Sequence, residues 1–364
     1  MTMERIAALR RFLQNHTLDS VIMLQPENLK YFSGFTGGEG ALVLTPSRVI
    51  LWTDSRYIEQ AVDECTEKIT VMNHGGRLAF SAVSVLIEDG AGAVGYERDF
   101  MTHSFFESMA QEDELYFEAV SLQELRAVKE TYEIEATRRA SRIADMAFAE
   151  LLPHIRPGVT ERQLAALLES KMLLAGSEEK SFDAIVASGK RSSMPHGTAT
   201  DKLVENGDFI TFDFGAVCDG YHSDMTRTVV CGKASEEQKR FYDLVLQAQL
   251  IGVDAVKSGA SCYETDAAVR QFFAKHGVDK YFTHALGHGT GLEIHEQPVL
   301  SPRSQGVLKE NMIATVEPGL YIEGKYGVRI EDSLVVTAEG CEILTTTSKE
   351  LTELFWEEIV YDYK

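Results

Sequence analysis

Apolar residues in the first third of the chain fall in short runs separated by helix-like stretches. Val21-Ile22-Met23-Leu24, Ala41-Leu42-Val43-Leu44 and Arg48-Val49-Ile50-Leu51-Trp52 read as short buried strands. Thr45-Pro46-Ser47 reads as the turn between the last two. The glycine-rich run from Gly34 to Gly40 lacks the Lys-Ser/Thr of a phosphate loop, so turn chemistry is expected there. The pattern changes from Leu122 onward. Ala140, Ile143, Ala144, Ala147, Phe148 and Leu151 recur at helical spacing, with charged residues on the other face. The domain boundary is therefore expected at 120–130. This predicts a smaller α/β domain over 1–124 and a larger domain over 125–364.

The later region repeats itself. His154-Ile-Arg-Pro-Gly158-Val-Thr160-Glu-Arg-Gln163 aligns without gaps with Ala255-Val-Lys-Ser-Gly259-Ala-Ser261-Cys-Tyr-Glu264, at an offset of 259 − 158 = 101. Each copy predicts a glycine turn and then a capping box that opens a helix, Thr160 with Gln163 and Ser261 with Glu264. Further on, Thr211-Phe-Asp213-Phe-Gly215 matches Thr315-Val-Glu317-Pro-Gly319, and His196-Gly-Thr198 matches His288-Gly-Thr290. Asp224 loosely matches Glu331. Two halves related by a pseudo-twofold are expected, and the polar residues that recur in both are Asp/Glu and His. A pseudo-twofold axis lined by such residues is a natural place for a pair of divalent ions.

The carboxylates can be placed more closely. Asp208 to Gly215 has a strand pattern, and Asp219-Gly220 is a preferred pair for a two-residue type I′ turn. With that turn, paired positions sum to 439, so Asp213 faces Thr226 and Asp224 faces Gly215. The two aspartates then share one face as diagonal neighbours, about 7–8 Å apart between Cα atoms. Two bare carboxylates beside Phe212 and Phe214 repel and desolvate each other, and a cation between them resolves the conflict. The bland alternative is a pair of solvated aspartates on an edge hairpin. Glu317 ends the apolar run Met312–Val316, and the proline after it favours extended backbone. Arg329 and Glu331 alternate on one face of a strand expected over 328–336. They read either as a surface ion pair or as a ligand carboxylate with a neighbouring guanidinium.

Four of the ten histidines lie in or beside the repeat: His196, His284, His288 and His295. His288 sits in Gly-His-Gly-Thr-Gly, where flanking glycines allow close approach. His295-Glu296 does not open a zincin motif, because position 299 is Val. The other six histidines have no motif context. One imidazole with four carboxylates is a hard, oxygen-rich set. It suits two divalent ions, Mn²⁺ first, with Co²⁺, Fe²⁺ or Zn²⁺ as alternatives, rather than a thiolate zinc site. Such a pair would hold a bridging hydroxide for attack on a carbonyl or phosphoryl group.

Composition narrows the partners. The 364 residues carry 35 Lys+Arg and 56 Asp+Glu, a formal charge of −21. That balance argues against nucleic acid or an anionic membrane as partner. No apolar run reaches the ~18 residues of a membrane span. The N-terminus reads as an amphipathic helix without a signal-peptide core. Five scattered cysteines (65, 218, 231, 262 and 341), with no CxxC pair, suggest free thiols in a reducing cytoplasm.

The set Asp213, Asp224, His288, Glu317, Glu331 resembles the five metal ligands of the pita-bread metallopeptidases, which comprise methionine aminopeptidase, aminopeptidase P and prolidase. Phe-Asp213-Phe-Gly, Gly-His288-Gly-Thr-Gly, Val-Glu317-Pro-Gly-Leu-Tyr321 and Val-Arg329-Ile-Glu331-Asp carry the likeness over residues 125–364. The opening region is similar to the family's creatinase-like N-terminal domain through Tyr31-Phe-Ser-Gly-Phe-Thr-Gly and Thr53-Asp-Ser-Arg-Tyr57. The resemblance implies an α+β protein: a pita-bread domain, antiparallel sheet backed by helices, behind a smaller α/β domain. It also implies the proline-directed branch, Xaa-Pro aminopeptidase or Xaa-Pro dipeptidase, acting on proline-containing peptides. His196, His284 and His295 resemble the branch's histidines around the scissile bond, with His295-Glu-Gln-Pro298 fitting its Ile-His-Glu-x-Pro pattern. Glu317 resembles the general base that also ligates metal, Arg329 the arginine beside the last ligand, and Tyr321 a substrate-side tyrosine. The implied reaction is attack of a metal-bridging hydroxide on the Xaa carbonyl. A cytoplasmic homodimer is the family expectation, with Arg56 a candidate to reach a partner's site or an ordinary surface arginine. A metal-free creatinase-like enzyme and a non-catalytic protein on the same scaffold are the alternatives. The first lacks the ligand set that stands here, and the second usually shows ligand loss.

Overall fold

A computed structural model describes residues 2–111 and 114–356. The chain divides into two compact units, residues 1–126 and 127–364. The first is an α/β unit. Its elements run α1 (Thr2–Asn15), β1 (Ser20–Met23), α2 (Pro26–Ser33), β2 (Ala41–Leu44), β3 (Val49–Thr53), α3 (Ile58–Glu64) and β4 (Thr70–Asn73). They continue with α4 (Leu78–Glu88), β5 (Ala93–Glu97), α5 (His103–Met109), β6 (Tyr116–Val120) and α6 (Glu124–Ala127). The three strands expected from the apolar runs form, and the turn at Thr45 closes through Thr45 N donating to Arg48 O at 3.0 Å. The six strands make one sheet in the order β4-β3-β2-β1-β5-β6. Ile22, Val43, Ile50, Val94 and Leu86 are buried between that sheet and its helices.

The second unit continues with α7 (Thr131–Leu151), α8 (Glu161–Leu174), β7 (Ile185–Ser188), β8 (Phe209–Phe214), β9 (Val217–Cys218), β10 (Tyr221–His222) and β11 (Met225–Cys231). Next come α9 (Glu236–Ala255), α10 (Cys262–Lys275), β12 (Gly287–Gly289), β13 (Glu296–Leu300), β14 (Ile313–Val316) and β15 (Gly319–Ile322). The unit closes with β16 (Tyr326–Arg329), β17 (Asp332–Val336), β18 (Cys341–Ile343) and β19 (Thr352–Leu354). It has two cores. One joins α7 and α8 to the sheet β19-β11-β8-β7, where the Phe148 ring packs on Phe212 and Phe214 at 5.5 and 5.3 Å. The other joins α9 and α10 to β14, β15, β16 and β17 through Val245, Val269, Phe273, Val316 and Leu334.

The repeat is visible locally. Thr160 and Gln163 close a reciprocal capping box at α8, and Ser261 accepts from Glu264 N at the start of α10. The predicted hairpin register forms. Asp213 pairs with Thr226 and Tyr221 with Cys218, and Asp219 and Gly220 both have positive φ, as a type I′ turn requires. One expectation needs correction. Residues 328–336 are not one strand: β16 ends at Arg329 and β17 begins at Asp332. The chain leaves its pairing with β15 and enters pairing with β14, so Ile330-Glu331 is the crossing between two sheets. No helix among the described residues is long and apolar enough to cross a membrane.

Candidate metal centre

The residues singled out by the repeat converge where the two halves of the second unit meet. Asp213 projects from β8, and Asp224 lies just before β11. His288 is carried by β12, Glu317 follows β14, and Glu331 sits in the crossing from β16 to β17. Close backbone approach makes this convergence feasible. A side chain at Gly287 would meet Thr315 O at 1.9 Å, and one at Gly215 would meet Ser223 O at 1.8 Å. Glycine is therefore required where β12 lies against β14 and where the aspartate hairpin narrows.

Hydrogen bonds set the direction of each donor atom. His288 Nδ1 lies 3.0 Å from Gly289 O, and a carbonyl only accepts, so Nδ1 carries the proton. Burial lowers the pKa of this ring and favours its neutral form. Its Nε2 lone pair therefore faces Asp224 Oδ2 and Glu317 Oε1, each 3.5 Å away. These are three acceptors with no donor between them. Asp224, His288 and Glu331 each present an atom within 4.8 Å of the others. Two buried carboxylate oxygens, Asp213 Oδ1 and Asp224 Oδ1, have no hydrogen-bond partner.

The electrostatics agree. The Asp224 carboxyl is pushed well above the carboxylate range by burial first and then by Glu331, Asp213 and Glu317. Glu331 is raised by burial and by Glu317 and Asp213. Glu317 is pushed up to about 8 by burial, with Asp213 adding and Arg329 and Thr315 opposing. Acceptors crowded out of water with too few donors are what a divalent cation satisfies. The hard, oxygen-rich donor set fits divalent cations.

Beside this cluster lies a polar chain. Arg329, only 3% exposed, donates from Nη2 to Asp213 Oδ2 at 2.5 Å and from Nη1 to Tyr321 Oη at 2.9 Å. Its Nη1 also donates to Pro195 O at 3.1 Å, which ties in the segment carrying His196. Tyr321 Oη lies 3.0 Å from His284 Nε2. His284 Nδ1 donates to Ala285 O at 2.8 Å, so its Nε2 accepts from the tyrosine hydroxyl. Burial and the Arg329 charge press the His284 pKa down to about 4, and burial holds Tyr321 up at about 12. The His295 ring packs 4.4 Å from that of His288. His196 and His295 are both exposed. Arg329 and Glu331 are buried, so the surface ion-pair alternative does not hold. Arg56, in the first unit, is 62% exposed and pairs with Asp54 and Glu39.

Two threonines escape sequence reasoning. Thr226 Oγ1 donates to Glu331 Oε2 at 2.7 Å and accepts from Arg329 Nε at 3.0 Å. Thr315 Oγ1 accepts from His288 N at 3.0 Å and donates to Glu317 Oε1 at 3.2 Å. Both stand on the face that carries the carboxylates. The only signal for Thr226 was its register opposite Asp213.

Comparison with known proteins agrees with this geometry. Residues 135–338 match the model of Metallopeptidase family M24, and residues 5–128 match the Creatinase/Prolidase N-terminal domain. The chain belongs to the M24 metallopeptidases. This M24 peptidase is 37% identical over 352 residues to the Xaa-Pro dipeptidase of Pyrococcus furiosus, covering 96% of the chain and 99% of the relative. Among solved structures it is similar to the Xaa-Pro dipeptidase from Bacillus anthracis, with a TM-score of 0.95, 40% identity and coverage of 97% and 100%. It is also similar to the X-Pro aminopeptidase from Thermotoga maritima, with a TM-score of 0.86, 37% identity and coverage of 93% and 98%. The fold is thus a creatinase-type N-terminal domain followed by a pita-bread catalytic domain. Membership of the family implies divalent metal ions, and the buried Asp/His/Glu cluster fits them.

Proposed function

We propose that the protein hydrolyses the Xaa-Pro bond at the N-terminus of peptides or in dipeptides, using two divalent ions, Mn²⁺ first among them. The observation that carries this reading is the acceptor-only convergence of Asp224, His288 and Glu317 beside Glu331 and two unpartnered aspartate oxygens. Asp213, Asp224, His288, Glu317 and Glu331 would hold the ions. When bound, the ions supply Lewis acidity to the scissile carbonyl and make water a nucleophile at neutral pH.

The remaining work falls to the chain's own groups. Thr315 holds Glu317 by its Oε1, so the carboxylate is aimed as it takes a proton and returns one to the departing proline nitrogen. Arg329 neutralises Asp213 and fixes the Tyr321 hydroxyl, which in turn orients the His284 ring. His196 and His295, both exposed, would donate to the developing oxyanion and to the substrate's polar groups. Proline selectivity is supported by the named relatives, which match over almost the whole chain. The scattered free cysteines support a cytoplasmic location, and a homodimer is carried over from the family resemblance alone.

The Asp224→Asn variant tests the reading. It removes one charge from the cluster without changing side-chain volume. Xaa-Pro hydrolysis is expected to collapse while the circular dichroism spectrum stays that of the parent. Activity that survives the substitution counts against the assignment. A dipeptide compared with an Xaa-Pro-Yaa tripeptide then separates the dipeptidase from the aminopeptidase.

A further inference from the structure

Two of the candidate histidines sit on irregular segments, and each segment is held from behind by a buried carboxylate that sequence reasoning passed over. Glu161 is the first residue of α8 and is fully buried. Its Oε1 accepts from Ser188 N at 2.7 Å and Ser188 Oγ at 3.0 Å. Its Oε2 accepts from Thr200 N at 3.1 Å, Thr200 Oγ1 at 2.7 Å and Arg191 Nε at 3.0 Å. Arg191 Nη2 then donates to Thr198 O at 2.6 Å. The carboxylate and its arginine therefore bind both ends of the 188–200 segment, which carries His196.

The second half has the same device. Asp266, on α10, is 1% exposed. It accepts from Arg270 Nε at 2.7 Å, Arg270 Nη2 at 3.0 Å and Leu286 N at 3.1 Å. Arg270 Nη2 donates to His284 O at 2.5 Å, and its Nη1 donates to Phe282 O at 3.3 Å. The 282–286 segment, with His284 at its centre, is thus held by one carboxylate and one guanidinium fork.

The helices are repeat partners, but the carboxylates are not. Glu161 matches position 262 (161 + 101), which is Cys, and Asp266 matches position 165 (266 − 101), which is Ala. Simple inheritance of one residue through the duplication does not account for the pattern. A requirement to hold each histidine segment does. We propose that Glu161–Arg191 and Asp266–Arg270 are positioning pairs, the first for His196 and the second for His284. Neither pair hydrogen-bonds to a candidate metal ligand. Each acts through the backbone of its histidine segment. The kinetic part of this inference rests on the peptidase reading.

The test uses Arg191→Lys and Arg270→Lys, which keep the charge beside each carboxylate but lose the fork that reaches the loop carbonyl. Each is made alone, with His196→Ala and with His284→Ala, in the metal-loaded full-length protein. A displacement of about 1 Å in a catalytic group costs on the order of a hundredfold, so each single variant is expected to lower kcat by roughly ten- to a hundredfold. Arg191→Lys should cause no further loss in the His196→Ala background but full loss in His284→Ala, and Arg270→Lys should show the reverse. A purely structural role would be additive in both backgrounds, and that result overturns the inference, as does loss of bound metal or of the folded state.

Histidine ring nitrogen NMR on zinc-loaded protein supplies a readout free of activity. Arg191→Lys should shift the His196 signals and leave those of His284, and Arg270→Lys should do the opposite. Signals that move together, or not at all, refute the pairing. If the parent is inert toward Xaa-Pro peptides, only the peptidase reading fails, and the ring signals still decide the positioning roles.

Discussion

Lys129 and Glu296 form an ion pair that should dominate the local stability of the segment bearing His295. Lys129 Nζ lies 2.9 Å from Glu296 Oε2, and each side chain is 1% exposed. Glu296 Oε1 also accepts from Glu293 N at 3.1 Å, so the carboxylate closes the turn just before His295. Lys129→Met removes the cation that faces the buried Glu296 carboxylate. Breaking such a pair from one side costs about 3–5 kcal/mol. For a unit of this size, at roughly 2–4 °C per kcal/mol, the melting midpoint should fall by about 6–20 °C. Lys129→Met combined with Glu296→Gln removes both charges and keeps an acceptor for Glu293 N. Since the pair's own attraction largely offsets its desolvation, the double variant should recover most of the loss, to within about 1–2 kcal/mol of the parent. Scanning calorimetry of the four proteins, with metal content held equal, reads the cycle. A midpoint for Lys129→Met within ~1 kcal/mol of the parent, or a double variant as unstable as the sum of the singles, refutes the reasoning.

Other outcomes follow from the same contacts. Gly287→Ala drives a methyl group into Thr315 O and should displace β12 with His288. Bound divalent metal, measured by atomic emission after dialysis, should fall while Glu317 and Asp224 remain in place. Adding Mn²⁺ to chelated protein at a hundred times its Kd should stabilise it by about 2.7 kcal/mol, a rise of roughly 5–11 °C, and most of that rise should vanish in Asp224→Asn. In the first unit, Asp89 accepts from Arg48 at 2.6 and 2.9 Å and from Thr45 at 2.5 Å, and the Arg48 guanidinium holds its carboxyl well below the usual range. A depressed pKa means the carboxylate stabilises the fold above the unfolded value of ~3.9 and loses that role as pH falls. Asp89→Asn should therefore speed amide exchange in the 45–48 turn at pH 7, and the difference from the parent should shrink below pH 4.

Much of the site was legible because its constraints are local. An Asp-Gly turn leaves little choice of strand register, so the pairing of Asp213 with Thr226 could be counted from the chain alone. Helix starts were legible for the same reason, since Thr160 and Ser261 act within three residues. What escaped was decided across the fold. Residues 328–336 have the alternation of one strand, and only competition between β15 and β14 as partners breaks it at Ile330. Glu161 looks like an ordinary acid in the first turn of its helix, and Asp266 like the acidic half of an i,i+4 pair with Arg270 on the next. Their burial depends on loops 27 and 20 residues further on folding back over them. Nothing in local pattern separates a carboxylate that caps its own helix from one that receives a distant segment.

The most direct test of the central claim is hydrolysis by the purified, Mn²⁺-loaded protein of an Xaa-Pro dipeptide and an Xaa-Pro-Yaa tripeptide, beside Xaa-Ala controls, with and without a chelator. The account predicts release of Xaa from at least one proline substrate, little or none from the alanine controls, and loss of that activity on chelation with recovery on returning the metal. Absence of Xaa-Pro cleavage under every metal tried, or cleavage indifferent to chelation, would contradict it.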